Sequence, residues 1–117
     1  VKYDDGMKVV KRRAGDVVVL DLHGRMVIGE GDRVLREAVK DLGDSEKARV
    51  VLNLADVSYV DSSVLSEIVR TYTTVTRQGG RLKLLGLPPK IRDLLAMTRL
   101  LTVFETYESE DDALRSF

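Results

Sequence analysis

The sequence predicts an α/β fold: an open mixed sheet of four to five strands with about four helices, begun by a β-hairpin and continued by alternating helices and strands. Three observations predict it. Short runs rich in β-branched residues, such as Val17-Val18-Val19-Leu20 and Val50-Val51-Leu52, have the length and composition of strands. Longer segments between them carry apolar residues at helical spacing. No Pro/Gly/Ser-rich linker, internal repeat or low-complexity stretch divides the 117 residues, so 1–117 reads as one domain.

Each element follows in order. Met7 to Arg12 reads as a strand, and a three-residue turn, Ala14-Gly15-Asp16, joins it to a second strand from Val17 to His23. The apolar start of that second strand implies burial on both faces. Gly24 and Gly29-Glu30-Gly31 break the pattern. A helix starts near Asp32, a plausible N-cap, with Val34, Leu35, Ala38, Val39 and Leu42 as its stripe and Gly43 as its C-cap. Arg49 to Leu54 is a strand expected at the sheet centre. A second helix runs from about Ser63 to Gln78 on the stripe Val64, Leu65, Ile68, Val69, Tyr72 and Val75, and Gly79-Gly80 ends it. Arg81 to Leu85 is a strand. Pro88-Pro89 opens a third helix whose inner face is Ile91, Leu94, Leu95 and Thr98. Val103 to Tyr107 is the last strand, and Ser109 caps a short final helix. Strand–helix–strand units imply parallel pairing with right-handed crossovers.

Composition excludes several kinds of function. Nineteen basic and nineteen acidic side chains balance to +0, which leaves no electrostatic footprint for nucleic acid. The chain has no Cys and one His, so thiolate chemistry and multi-His metal sites are excluded. No apolar run approaches the roughly 18 residues of a membrane span. Val1-Lys2-Tyr3-Asp4-Asp5 does not read as a signal peptide. These features point to the cytoplasm, with neither cofactor nor metal.

The informative segment runs from Val51 to Leu65, where a strand leads into the polar corner Asp61-Ser62-Ser63 and a helix leaves it. Open α/β sheets gather functional groups at such strand ends. The corner sets a serine hydroxyl beside a helix N-terminus, whose unpaired amides favour an anion. Asp and Ser are also ordinary capping residues, and capping alone accounts for the corner. Residues 57–76 hold three charged side chains in twenty, Asp61, Glu67 and Arg70, against 32% for the whole chain. The outer helix face carries Ser66, Thr71, Thr73, Thr74 and Thr76 instead. Interfaces exclude charge from their centres, so this face is a candidate partner surface.

Val51-Leu52-Asn53-Leu54, Asp56, Ser58 and Asp61-Ser62-Ser63 resemble the signature of the STAS domain, and more narrowly that of bacterial anti-sigma factor antagonists. Leu22-His23-Gly24, Gln78-Gly79-Gly80 before Leu82-Lys83-Leu84, and Pro89 with Ile91, Leu94, Leu95 and Leu100 extend the resemblance over nearly the whole chain. The resemblance implies a STAS-like sheet and a binding module, not an enzyme. The unmodified domain binds an anti-sigma factor that is also a serine kinase, and so frees the sigma factor. The kinase phosphorylates the serine after the signature Asp, here Ser62, with Ser63 as second choice, and a serine phosphatase resets the switch. The candidate partner surface is Asp61, Ser62, Ser63, Val64, Ser66, Glu67 and Arg70, with Gly24 beside it. Val64 stands where the family usually has Gly, and Val27 where it often has an acidic residue. A scaffold subunit of a signalling assembly or lipid-transport complex is the alternative function, and oligomeric state is left open.

His23 is read as a packing or surface residue, since no nucleophile–base–orienter set can be named around it. Gly29-Glu30-Gly31 lacks the spacing of a phosphate loop. The acidic run Glu108 to Asp112 suits the dipole of a helix start, and Lys11-Arg12-Arg13 is too short for a nucleic-acid patch.

Overall fold

Alternation of apolar side chains along the strands sets the architecture, because successive residues point to opposite sheet faces. The computed structural model describes residues 2–3, 7–26, 31–40, 48–60 and 62–117. The strands β1 (Lys2–Tyr3), β2 (Met7–Ala14), β3 (Val17–Met26), β4 (Arg49–Val60), β5 (Arg81–Leu85) and β6 (Glu105–Tyr107) lie in the order β1-β2-β3-β4-β5-β6. The pairs β1–β2 and β2–β3 are antiparallel, and the rest are parallel. Four helices, α1 (Gly31–Lys40), α2 (Ser62–Arg77), α3 (Pro89–Met97) and α4 (Glu110–Arg115), complete the chain. The expected mixed sheet of four to five strands is present as β2 to β6, and the two-residue β1 adds a sixth strand at its hairpin edge.

One sheet face holds the larger core. Val18, Leu20 and Leu22 of β3, Val50, Leu52 and Leu54 of β4, and Leu82 and Leu84 of β5 pack there. They meet Leu35 of α1, Leu65, Ile68 and Val75 of α2, and Ile91 and Leu95 of α3. On the other face Val17, Val19, Val51 and Leu85 meet Ala113 of α4. The starts of β3 and β4 are therefore buried on both sides, as their continuous apolar runs require. Fully burying each such side chain contributes about 1.5–3 kcal/mol, so the face with three helices carries most of the stability.

Polar contacts hold α4 over the smaller core. Arg12 of β2 donates from Nε to Asp21 of β3 at 2.6 Å and from Nη1 to Glu110 of α4 at 3.0 Å. Asn53 donates to Asp21 at 2.8 Å. Lys83 is fully buried on the same face, and its ammonium donates to the Ser116 carbonyl at 2.9 Å and hydroxyl at 2.7 Å, beneath the Phe117 ring at 4.6 Å. Ser109 caps α4, its hydroxyl accepting from the Asp112 amide at 3.4 Å.

Several boundaries move. Ala14 pairs with Val17, so the hairpin loop is the two residues Gly15-Asp16 rather than three, and a Gly at the first loop position suits such a turn. Gly24 does not end β3, which continues to Met26, and β4 passes Leu54 to reach Val60. Gly31 opens α1, so Asp32 lies inside the helix instead of capping it. The second helix begins at Ser62 and ends at Arg77. Its end is closed by Gly79 with φ 80° and by bonds from the Gly79 amide to Thr76 O at 3.0 Å and the Gly80 amide to Val75 O at 2.9 Å. Thr98 is exposed at the end of α3, where its hydroxyl donates to Leu94 O at 2.9 Å, and so leaves the inner face. Val103 and Phe104 precede β6. The expected roles of Val27, Gly29, Glu30, Leu42 and Gly43 lie outside the described residues.

The Arg12 network has a pH signature. Hydrogen bonds from Arg12, with its charge, hold the Glu110 carboxyl below the usual range against a smaller effect of burial. Burial pushes Asp21 up, but hydrogen bonds from Arg12 and Asn53 and the charges of Arg12 and His23 outweigh it, and the net direction is down. Carboxyls with lowered pKa contribute stability above the unfolded value of about 4, and lose it as pH falls through the folded value. Arg12→Ala should cost about 1 kcal/mol at pH 7, since the guanidinium is partly exposed. In thermal melts the gap between wild type and variant should narrow steadily below about pH 4; a gap that stays constant down to pH 2 would refute the assignment.

Candidate functional site

The polar corner lies at the C-terminal edge of the parallel sheet, and its position follows from a mismatch between two strands. From Asp21 to Met26 β3 advances five residues, while its partner β4 advances seven, from Asn53 to Val60. The register shifts fall between Asp21 and His23 and between Gly24 and Arg25, so each places one extra residue on β4. Such bulges bend and twist a strand and re-aim its side chains. The first half of β4 is core, whereas Ala55, Asp56, Ser58 and Tyr59 are exposed and only Val57 is buried.

Gly24 sits between the two shifts with φ 98°, opposite Val57. A side chain is strained at that φ, so glycine lets β3 follow the bulged strand. His23 Nδ1 lies 3.1 Å from Asp56 Oδ2. Arg25 lies over the Tyr59 ring, 5.5 Å from its centroid, and Tyr59 is 48% exposed. Beside Tyr59 an apolar groove of about 450 Å³ opens between the end of β4 and Pro88, Pro89, Ile91 and Leu94.

The strand delivers the chain to α2. Ser62, Ser63 and Val64 form its first turn, where backbone amides have no partner within the helix. None of the first-turn residues is acidic. Asp61 lies outside the described residues. Ser66 and Arg70 are exposed on the outer face with Thr73, Thr74 and Thr76. The Thr73 and Thr76 hydroxyls donate to Val69 O at 2.9 Å and Tyr72 O at 2.7 Å. That back-bonding occupies their protons and explains how a helix tolerates so many threonines. Thr71 departs from the expected outer face: it is buried and donates to Glu67 O at 2.9 Å.

Glu67 is also buried, at 4% exposure. Its carboxylate accepts from Arg36 Nε of α1 at 2.7 Å and lies 3.6 Å from Arg70 Nε. Gly24, Ser66 and Arg70 reach the surface around the corner, while Glu67 is held within it. Sequence reasoning missed Arg25, Tyr59, the His23–Asp56 pair and Arg36. The only sequence trace of Tyr59 was an aromatic in an otherwise polar approach to the corner. Among the described residues no group of His, Asp and Glu is placed to hold a metal, and no helix is long and apolar enough to cross a membrane.

This sheet order, with a serine corner at its parallel edge, is that of a known family. The STAS domain model matches residues 8–113, and the chain belongs to that family. Within it the kinship is with the anti-sigma factor antagonists, which are non-enzymatic regulators. The chain is 26% identical over 98 residues to the anti-sigma F factor antagonist of Paenibacillus polymyxa, covering 84% of each chain. It is 38% identical over 72 residues to the anti-sigma-B factor antagonist of Bacillus subtilis (strain 168), covering 62% of this chain and 65% of that one. A crystal structure of an anti-sigma factor antagonist from Mycobacterium paratuberculosis shares the fold, with a TM-score of 0.84 at 21% identity and coverage of 99% and 97%.

The bulged pairing makes Gly24 a sensitive position. Gly24→Ala should destabilise the chain by about 1–2 kcal/mol, because an alanine at that φ is strained. A denaturant midpoint equal to that of wild type would show that β3 does not need glycine there.

Proposed function

We propose that this chain is an anti-sigma factor antagonist that binds an anti-sigma factor with serine kinase activity, releases the sigma factor, and is switched off by phosphorylation of Ser62. Ser63 is the second candidate, and a serine phosphatase restores the binding form. The observation that carries the reading is the position of Ser62 as first residue of α2, after a strand whose last residues are largely exposed. The family membership and the anti-sigma factor antagonists among its relatives support it. The surface offered to the partner is Asp61, Ser62, Ser63, Val64, Ser66 and Arg70, with Gly24 beside them and Glu67 acting from within. Sigma factors work in the cytoplasm, so the reading places the chain there.

The switch needs little chemistry from this chain. A phosphate on Ser62 adds about −1.5 to −2 charges. The free amides and dipole of α2 partly stabilise that charge, while the neighbouring Asp61 repels it. Against a partner the balance reverses. Two like unit charges about 6 Å apart repel by roughly 3 kcal/mol at an effective dielectric of 20. A docked partner carrying negative charge near Ser62 would therefore lose on the order of a hundredfold in affinity.

The test uses the purified anti-sigma factor of the source organism with ATP, followed by mass spectrometry of this chain. One phosphate at Ser62 or Ser63 is expected, and no modification would overturn the phosphoswitch. Ser62→Asp should weaken binding by tenfold or more, whereas equal affinity would remove the electrostatic account.

A further inference from the structure

The groove beside Tyr59 exists because two neighbouring strands end at different places. The pairing of β4 with β5 stops at Asn53 and Leu85, so among the described residues no strand lies beside residues 55–60 of β4 on that side. Gly86 turns the chain there with φ 70°, tight against β4: a Cβ on Gly86 would lie 2.9 Å from the Ala55 Cβ. Pro88 and Pro89 then lead into α3, and about 450 Å³ opens between that start and the end of β4.

The walls of the groove are already ordered. Val57 and Ile91 are buried core residues, and Val60 and Leu94 pack against the same core. The two prolines have a fixed φ and no flexible side chain to immobilise. Arg25 lies over the Tyr59 ring and supports it as an exposed wall. A concave, pre-formed, mostly apolar lining with few polar groups is the character of a small-molecule site, and such sites span about 300–1,000 Å³. Filling it immobilises little of the protein.

Lys90 gives the occupant a sign. Among the described residues it is the one charged side chain in the lining, it is exposed, and it forms no ion pair or hydrogen bond with another described residue. The acids described on these two segments, Asp56 and Asp93, are not in the lining, and Asp56 faces His23. One ammonium at the rim matches one negative charge, and the apolar walls match hydrocarbon. The geometry points to a binding site for an aliphatic carboxylate, its chain in the groove between β4 and α3 and its carboxylate on the Lys90 ammonium. Burial of the chain supplies most of the affinity, up to about fourfold for each CH₂ enclosed. The ammonium selects the head group. This site does not depend on the function proposed above.

The experiment follows the backbone amide NMR shifts of the full chain during titration with decanoate below its micelle threshold. Hexanoate, decanol, decyl phosphate and decyltrimethylammonium are titrated alongside. The expected result is saturable shifts concentrated in residues 57–60 and 90–94. Decanoate should bind about tenfold or more tighter than hexanoate and than decyltrimethylammonium. Lys90→Gln should cost decanoate about three- to fivefold and leave decanol unchanged, as for an exposed ion pair. Ser58→Trp fills the groove from an exposed strand position and should abolish decanoate binding, with its melting temperature as the check on the fold. Absence of decanoate shifts in the two segments would overturn the site, as would decanoate binding retained by folded Ser58→Trp. Equal affinity for decanoate and decyltrimethylammonium, or tighter binding of decyl phosphate, would overturn the carboxylate. Shifts of the same amides by the purified anti-sigma factor and not by decanoate would make the groove a protein contact and overturn the small-molecule reading.

Discussion

The parallel pairing of β3 with β4 is the constraint on which the rest depends. Its first half is regular: Val18, Val19 and Leu20 stand opposite Val50, Val51 and Leu52, all buried. Its second half is not, because β4 carries two residues more than β3 between Asn53 and Val60. The regular half anchors the strand at the centre of the sheet. The bulged half lifts Asp56, Ser58 and Tyr59 out to solvent and brings the chain to the start of α2 at the sheet's edge. A strand of uniform register would bury one face to its end. The buried and the solvent-facing parts of β4 thus occupy successive halves of one strand.

The two sheet faces divide the remaining work. Three helices cover one face with a continuous apolar core. The six-residue α4 covers part of the other, where Arg12, Asp21, Asn53 and Lys83 supplement a small set of apolar contacts. Buried or half-buried charges suit that face because few hydrocarbon contacts are available to hold so short a helix. The polar residues there serve the fold. Around Glu67 a buried carboxylate instead meets the partly exposed side chains of Arg36 and Arg70.

Most of the architecture was legible because local pattern sufficed. The apolar runs of β3 and β4, the stripes of the helices, Gly79-Gly80 and the Ser109 cap all act within a few residues of sequence. The second half of β4 was not legible, because Ala55-Asp56 and Ser58 interrupt the apolar run and a bulge has no alternation of its own to display. Gly24 looked like a terminator for the same reason: in sequence, a glycine that ends a strand and one that lets it follow a bulge are indistinguishable. Thr71 looked exposed by composition, but helical phase places it one turn on from Glu67 on the same buried side. The handover from strand to helix at Ser62 was legible to within a residue. The partners that flank it were not, because Arg25 meets Tyr59, and Arg36 meets Glu67, only once the sheet order and the α1–α2 contact are known.

The central claim is that recognition resides at the bulged end of β4 and the outer face of α2, and not on the α4 face. Hydrogen exchange read by mass spectrometry, with and without the anti-sigma factor, tests it most directly. The account predicts slowed exchange over residues 57–70, with α4 and the hairpin of β2 and β3 unchanged outside the Gly24 segment. Protection confined to α4 and the early hairpin, with the β4–α2 segment exchanging as in the free chain, would contradict it.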